Sequence, residues 1–480
     1  MDYYYYDQLG DNELDGNEDY DYDAMLMPPD ESFKDVYEGC MQSSTQQVQQ
    51  YIIVLLGCAV LHRMSWEALK RLLGNNSRHQ YLYHLSSLIW GLLGLWFYVG
   101  TQNSIYVGLH IINLCTFLKV TVLMKIKRTG AVLCMYTIVW QLLFEYFLKS
   151  EQYETIRGPQ MVVSMKLISL AFEIQNEKLK YHLIEFFGYL ANPASLILGP
   201  WVSLKDYRPD PNAKVKAMTV IIRIAFNVFL AVIFLNLSNC LVPWLKQLMA
   251  PGVWWAIYLD AFSVRCSHYF VCYLSQATLL TAISGNCCTT FMSLQSIVNP
   301  VAIEFPRSLS QVIRAWNIPM HLWLKHNIFN SLRSSKYSYF KAIVLTYLVS
   351  CLVHGFNYKV HLVLISLGFF SYFENLLRRC LAQVFDACIE SSACKNNCKY
   401  KLCPRRSQGG YFSTSILLVR LANFIFSLLV ILQLAYLGVM LNADTLSHTK
   451  SLDTVLLVWS NMNYFGHILA LLMFTFYKCI

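Results

Sequence analysis

A histidine lies in the middle of a long apolar run, AIVLTYLVSCLVHGFNYKVHLVLISLGFF. On a helix, His354 shares one face with other polar residues at intervals of three and four: Tyr347, Ser350, Asn357 or Tyr358, and His361. A polar stripe of this kind must face protein or a water-filled cavity, because lipid leaves polar groups unsatisfied. The imidazole is suited to general-base chemistry. The other interpretation is a hydrogen bond that ties His354 to a neighbouring helix.

A second polar segment precedes it, EFPRSLSQVIRAWNIPMHLWLKHNIFN at 304–330. Its candidate functional side chains are Arg307, Arg314, Trp316 and Asn317. Pro319 excludes one uninterrupted helix, and the amphipathic mixture is typical of a membrane interface or a cavity wall. A purely anchoring role explains the Trp residues but not the Asn. The 36 residues between Asn317 and His354 suffice for an interfacial element and one helix, so the chain can fold back to bring both side chains together.

A third segment, ETIRGPQMVVSMKLISLAFEI at 154–174, carries charges in apolar surroundings. Arg157, Lys166 and Glu173 are functional candidates, because intramembrane ionisable groups are costly. For Glu173, a position at a helix end is an equally good explanation.

The elements that must position these residues are membrane helices. The 480 residues are 56% hydrophobic and 14% charged, against about 25% charged in soluble domains. Apolar stretches approach the ~20 residues that cross a bilayer as helix. They begin with a short one at 51–62, interpreted as lying on the surface. We predict an all-α polytopic membrane protein with about ten or eleven transmembrane helices. Motifs of soluble enzymes and nucleic-acid modules are absent from the sequence.

The charge distribution divides the chain. Residues 1–38 carry thirteen Asp or Glu and one Lys, and the net charge of the whole chain is +9. We therefore predict a disordered, acidic, Tyr-rich tail over 1–48 and a membrane catalytic domain over 49–480. Basic clusters at 125–128, 376–379 and 403–406 are typical of cytoplasmic loops.

Most of the 16 cysteines, including Cys58, Cys115, Cys134, Cys240 and Cys351, lie in apolar runs and are interpreted as small hydrophobic residues. A separate group lies in ACIESSACKNNCKYKLCPRR: Cys388, Cys394, Cys398 and Cys403. Its spacing differs from the paired C-x2-C of common zinc sites. Free or acylated thiols are therefore favoured over zinc, and no metal site is predicted.

Several motifs together resemble the membrane-bound O-acyltransferase family. They are RGPQMVVSMKLISLAFE, GPWVSLKDY, FPRSLSQVIRAWNIPMHLWL, LVHGFNY, SLGFFSYFENLLRR and QLAYLGVMLN. The order and spacing agree with the family over roughly residues 50–480. The most specific pattern is W-N-x-P-M-x-x-W-L upstream of S-x-L-x-H-G, and the WNIPM wording indicates the branch that acylates Wnt proteins.

The resemblance implies a fold of many helices around a central tunnel, in the membrane of the endoplasmic reticulum. It implies transfer of a monounsaturated acyl group, typically from palmitoleoyl-CoA, to a serine of Wnt proteins, which enables their secretion and signalling. His354 is then the catalytic histidine and Asn317 its polar partner. The implied partners are Wnt proteins, acyl-CoA and membrane lipids, with no nucleic acid and no resident cofactor.

These residues fit that chemistry. A serine hydroxyl is a weak nucleophile, so a general base must take its proton as it attacks the thioester carbonyl. The Asn317 amide either stabilises the developing oxyanion or orients His354 or the substrate, and the sequence leaves both roles open. Arg157, Arg307 and Arg314, with Trp316, are the candidates for holding CoA.

Three other functions are considered. A transporter with a proton-relay histidine conflicts with the missing inverted repeats and with the Trp-Asn-Pro segment. Another branch of the family would acylate Hedgehog, lipids or sterols. A receptor or scaffold leaves the buried histidine unexplained. Acyl transfer from labelled acyl-CoA separates these possibilities.

Overall fold

The computed structural model describes residues 32–73, 78–175, 182–209, 216–248, 253–282, 296–394, 398–404, 414–442 and 452–480. The regular structure in these parts of the chain is helical, apart from one isolated bridge that pairs Ala387 with Leu402. The principal helices are α1 (Gln42–Leu73), α2 (Arg78–Leu123), α3 (Thr129–Phe147), α4 (Ser150–Gln175), α5 (Leu183–Leu190), α6 (Ala217–Asn236), α7 (Val253–Ala282), α8 (Leu309–Trp316), α9 (Ile318–Trp323), α10 (Tyr339–Val353), α11 (Tyr358–Val384), α12 (Thr414–Gly438), α13 (Leu452–Asn461) and α14 (Phe465–Cys479).

The helices have the length and apolarity of a polytopic membrane protein. Within the described residues, six helical segments are long and apolar enough to cross a membrane, and α10 and α14 are shorter apolar helices. The all-α membrane prediction is confirmed, whereas the number of ten or eleven passes is not established. The interpretation of 51–62 as a short surface segment is wrong, because these residues lie inside α1, which has 32 residues.

Part of the segment predicted as a disordered tail is helical. Phe33–Val36 and a π-helical turn, Tyr37–Met41, lead directly into α1, so residues 33–48 are helical rather than disordered. Residues 1–31 lie outside the described part of the chain. Cys240 was interpreted as a small hydrophobic residue, but it forms a disulfide with Cys40, 200 residues away. Local sequence pattern gave no signal for a pair so far apart.

The disulfide distinguishes the two faces of the membrane domain. Close to Cys240, the hydroxyl of Ser238 donates to the carbonyl of Ser263 on α7 at 3.0 Å. Gly438, at the end of α12, packs against nearby Ala261. Asn423 lies fifteen residues earlier, about 22 Å along α12. We call the two sides the disulfide face and the opposite face. Because disulfides persist in oxidising compartments, the disulfide favours the opposite face as the cytosolic one.

Two ion pairs, one partly and one fully buried, lie where the irregular segment at 296–330 meets the long helices. Arg265 on α7 binds Glu304 through two nitrogens, at 2.8 and 3.0 Å. On α11, Glu374 pairs with Arg378, and both side chains are fully buried. A carboxylate oxygen of Glu374 also accepts from the Leu309 backbone N–H at 2.8 Å, at the start of α8. Removal of one partner alone would leave an uncompensated buried charge and should destabilise this packing.

Candidate active site

His354 lies at a break between two helices. α10 ends at Val353, His354 is its C-cap, and α11 begins at Tyr358 with Asn357 as a side-chain N-cap. Gly355 has a φ of +77°, the left-handed conformation that commonly ends helices and that favours glycine. The prediction of one continuous helical face is therefore wrong, because the polar stripe is divided between two helices.

The break places His354 at the end of a short apolar helix. Lys336 and Lys341 lie at the N-terminal end of α10 and hold that end at a polar surface. α10 has 15 residues and is about 22 Å long. A bilayer core is about 30 Å thick, so the far end of α10 does not reach the other surface. This length is consistent with a position of His354 inside the apolar layer.

The His354 ring has a defined tautomer. Its Nδ1 lies 2.6 Å from the Ser350 carbonyl oxygen. Because a carbonyl only accepts, Nδ1 carries the proton, and Nε2 of the neutral ring has a lone pair for a substrate proton. The ring is partly buried. This is the state that a general base requires.

The turn after His354 is held by two residues that the sequence reasoning missed. Glu145, near the end of α3, accepts from the Phe356 backbone N–H at 2.6 Å. Tyr153 on α4 hydrogen-bonds to Glu145. A Cβ at Gly355 would lie 2.7 Å from the Tyr153 hydroxyl and 2.8 Å from Glu145 Oε2. A lone carboxylate in the apolar run at 130–148 was the available signal for Glu145.

His361 has a structural position. Its Nε2 lies 2.6 Å from the Gly355 carbonyl and 3.0 Å from the Cys351 carbonyl. These carbonyls belong to the end of α10 and the turn that follows it, where they also accept from the backbone N–H groups of His354 and Asn357. The ring therefore fixes the turn that carries His354.

Asn317 connects two short helices. It is the C-cap of α8 and the N-cap of α9, where its Oδ1 accepts from the Met320 N–H at 3.1 Å. Among the described residues, no group accepts from its Nδ2, so that amide hydrogen is available to a substrate oxygen. No hydrogen bond joins Asn317 to His354 in the described part of the chain. The expected direct partnership is therefore not seen, and a shared substrate is what can link them.

The segment after Asn317 is anchored to the helix that carries Arg157. The Trp323 indole donates to the Met165 carbonyl at 2.9 Å and lies 3.0 Å from the Ser169 hydroxyl. Asn327 donates to the same hydroxyl at 3.1 Å. Beyond α9, Leu324–Phe329 packs against α10. α4, α9 and α10 therefore form one framework.

The expected CoA-binding residues occupy different surroundings. Arg157 is close enough to His354 for an electrostatic interaction, and Arg314 is exposed on α8. Arg307 donates to the carbonyls of Cys388 and Glu390, both at 3.0 Å. These bonds give Arg307 a loop-anchoring role that the sequence did not indicate. Trp316 stacks on His268 with ring centroids 4.6 Å apart.

Lys166, the other charged candidate on α4, is structural. It is fully buried, and its Nζ donates to the carbonyls of Tyr189 and Leu190 at 2.8 and 3.1 Å. These bonds tie α4 to the end of α5. The interpretation of Lys166 as a functional charge is therefore replaced by a role in packing.

The four cysteines that follow α11 come together. The sulfurs of this four-cysteine cluster all lie within 4.8 Å of one another: Cys388, Cys394, Cys398 and Cys403. The spacing of these cysteines lacks the paired C-x2-C turns of common zinc sites, and for that reason the sequence favours free or acylated thiols. Here a bridge between Ala387 and Leu402, rather than two tight turns, brings the first and last cysteines side by side.

Comparisons with known proteins agree with this framework. The family model described as MBOAT, membrane-bound O-acyltransferase family, matches residues 111–403. The chain is 37% identical over 356 residues to protein-serine O-palmitoleoyltransferase porcupine of Drosophila melanogaster, covering 71% of this chain and 67% of the relative. It is 30% identical to the Anopheles gambiae protein of the same name, covering 95% and 96% of the two chains. Identity to the Homo sapiens protein of that name is 28%, over 94% and 98%.

Proposed function

The chain belongs to the membrane-bound O-acyltransferase family, and we propose that it transfers a palmitoleoyl group from palmitoleoyl-CoA to a serine hydroxyl of a Wnt protein. The names of the relatives supply the acyl group and the serine acceptor. The observation that carries the proposal is the His354 ring, whose Nδ1–H is fixed on the Ser350 carbonyl while no described residue hydrogen-bonds to Nε2.

His354 acts as the general base. The acceptor hydroxyl donates its proton to Nε2 while its oxygen attacks the thioester carbonyl. A C–O bond forms, and the tetrahedral intermediate collapses with cleavage of the C–S bond. The imidazolium then returns the proton to the CoA sulfur. The Ser350 carbonyl holds the ring throughout and is favourably placed for the positive charge that the ring carries between the two steps.

Asn317 supplies a donor for the oxyanion. Its Oδ1 is held by the N–H of Met320, so the direction of its Nδ2 is fixed before substrate arrives. A preorganised donor of this kind stabilises negative charge as it develops on the thioester oxygen. Arg157, beside His354, is the candidate for attracting the phosphates of CoA.

The location of the site suits two substrates from two sides. Acyl-CoA approaches from the cytosolic, opposite face, and a secreted acceptor approaches from the disulfide face. We place the enzyme in the endoplasmic reticulum membrane, where a secreted protein and cytosolic acyl-CoA meet across one bilayer. The helix break at His354, inside the membrane, is consistent with a tunnel open to both.

The test uses the purified full chain in detergent, labelled palmitoleoyl-CoA and a Wnt peptide with its acceptor serine. We expect label on the peptide and none on a Ser→Ala peptide. His354→Ala should abolish transfer, because it removes the base. His326→Ala is the matched control, since His326 is an exposed histidine on the segment before α10, and it should transfer normally.

Other acceptors decide between branches of the family. Parallel reactions contain a lysophospholipid, a sterol or a Hedgehog N-terminal peptide in place of the Wnt peptide. Faster labelling of one of these would overturn the Wnt assignment and leave acyl transfer intact. Absence of transfer to every acceptor, with folded protein, would overturn the enzymatic proposal itself.

A further inference from the structure

The four-cysteine cluster has the geometry of a closed metal site. All four sulfurs lie within 4.8 Å of one another, and the Cys394 and Cys403 sulfurs are 3.4 Å apart. A tetrahedral zinc ion with Zn–S bonds of about 2.3 Å requires sulfurs about 3.8 Å apart. The observed separations lie on both sides of that value. A disulfide would require about 2.0 Å, which the Cys394–Cys403 separation exceeds.

The backbone sets this geometry from two segments. Cys388 N–H donates to the Leu402 carbonyl at 2.9 Å, and Leu402 N–H donates to the Asp386 carbonyl at 3.0 Å. This pairing places Cys388 beside Cys403. Between them the described residues contain no helix, so the loop has little regular structure to hold its shape. A metal is a common solution for such a segment, because binding energy becomes folding energy.

The surroundings of these cysteines disfavour both acylation and oxidation of their thiols. Cys388 and Cys403 are 5% and 1% exposed, so an acyl-transfer enzyme cannot reach their sulfurs without unfolding the loop. The loop contacts Asn423, whose Nδ2 donates to the Cys388 carbonyl at 3.0 Å. This contact places the cluster on the opposite, cytosolic face, where thiols stay reduced.

We propose that the four-cysteine cluster binds one structural zinc ion. Zinc displaces the four thiol protons and forms four zinc–thiolate bonds, and the complex has a net charge of −2. The guanidinium of Arg307, which donates to the Cys388 carbonyl, complements that charge. With four protein ligands the site has no open position, so its role is structural rather than catalytic. The inference does not depend on the acyl group or acceptor proposed above.

The zinc loop would fix the start of the segment that carries Asn317. Arg307 binds the carbonyls of Cys388 and Glu390, and the Ser308 hydroxyl donates to the Ser391 carbonyl at 3.0 Å. Ser308 is in turn the N-cap of α8, whose C-cap is Asn317. A loop held by zinc therefore supports the N-terminal end of α8 from the cytosolic side.

The first experiment measures metal in the purified full chain by inductively coupled plasma mass spectrometry. We expect about one zinc per chain, as a closed four-cysteine site predicts. Cys398→Ser should lose most of it, whereas Cys398→His should retain it, because imidazole is also a zinc ligand. Cys380→Ser is the matched control, since Cys380 is a partly buried free cysteine on α11, and it should keep full metal content.

The second experiment needs no variant. The purified chain is stripped with a chelator, supplied with Co²⁺ under reducing conditions, and examined for the thiolate-to-cobalt charge-transfer band and tetrahedral visible bands. Both should appear and then vanish when Zn²⁺ is added. Zinc should also restore the melting temperature lost on stripping. Purified protein without zinc, four fully alkylatable thiols and no cobalt bands would overturn the proposal, as would acyl groups on these cysteines by mass spectrometry.

Discussion

At the scale of single residues, each candidate catalytic side chain has one polar atom bound to the protein backbone and another available to substrate. His354 gives one ring nitrogen to the backbone and leaves the other for a proton. Asn317 gives its oxygen to a helix N-terminus and leaves its amide hydrogens for substrate. A sequence identifies these residue types in a membrane segment, but it does not show which atom of each is already used.

The helix-capping contact changes how Asn317 should be tested. Asn317→Ala should lower kcat by ~10²–10³ as an oxyanion donor is lost. It should also cost about 1 kcal/mol of stability, because the N-cap of α9 is lost. Asn317→Asp keeps the cap but removes the donating NH2, so we expect near-native melting with a strongly reduced kcat. Single-turnover rates, both substrate affinities and melting curves separate the two effects.

The two variants also distinguish the two roles of Asn317. If the residue orients the acceptor instead, the main change should be a higher KM for the Wnt peptide. Partial activity in Asn317→Asp would favour that orienting role. An unchanged kcat in both variants would remove Asn317 from the active site.

At the scale of elements, the turn between α10 and α11 is the feature that positions the base. The sequence predicted long helices well, because a run of about twenty apolar residues is a local signal. It missed the turn, because intervals of three and four continue through 354–357 while the backbone leaves the helix at Gly355. The spacing of polar residues carries no information about the backbone φ angle, so it does not reveal the positive φ at Gly355.

Glu145 is a positioning residue for this turn. Glu145→Ala removes the acceptor for the Phe356 N–H, so the turn and His354 should shift. Because the base is then misplaced, kcat should fall by about 10–100-fold, with little change in KM for acyl-CoA. Glu145→Gln retains a carbonyl oxygen at the same place and should restore most of the rate. Glu151→Ala, on the exposed start of α4, is the control. Equal losses in the Ala and Gln variants would contradict the positioning role.

Gly355 should tolerate no side chain. Gly355→Ala combines an unfavourable φ of +77° with a Cβ 2.7 Å from the Tyr153 hydroxyl. Tyr153 and Glu145 would have to move, and the turn would move with them. We expect a loss of kcat greater than about tenfold, which corresponds to about 1.4 kcal/mol of barrier. Gly39→Ala is the control, because nothing lies within 4 Å of a Cβ there. A native rate in Gly355→Ala would contradict the geometry.

At the scale of the whole molecule, the features that the sequence did not reveal are those assembled from distant segments. The disulfide joins residues 200 positions apart. The four-cysteine cluster depends on a bridge between Ala387 and Leu402. Composition and motif order suffice for the class of fold and the family, because both are properties of continuous stretches. Pairings across the molecule follow only from the packed helices.

The disulfide should contribute directly to stability. Cys40→Ser opens a loop of 200 residues, and chain entropy predicts a loss of about 5 kcal/mol. We expect a lower melting temperature, equal to that of the native chain under reducing conditions. Cys479→Ser, an exposed free cysteine, should melt like the native protein. Unchanged melting of Cys40→Ser would show that the bond is unimportant in detergent.

The position of Cys40 also sets how much of the N-terminus can be removed. Deletion of residues 1–31 removes most of the acidic segment and leaves both the helix that begins at Phe33 and the disulfide. Acyl transfer should then stay within about threefold of native, less than 1 kcal/mol of barrier. Deletion of residues 1–41 removes Cys40 and the helical turn before α1, so we expect the melting loss of Cys40→Ser and a lower yield of active enzyme. Acyl-transfer rates normalised to the amount of folded protein separate a loss of stability from a loss of catalysis. A large loss of rate in the shorter deletion would assign the acidic segment a part in catalysis, because the packed helices would still be complete.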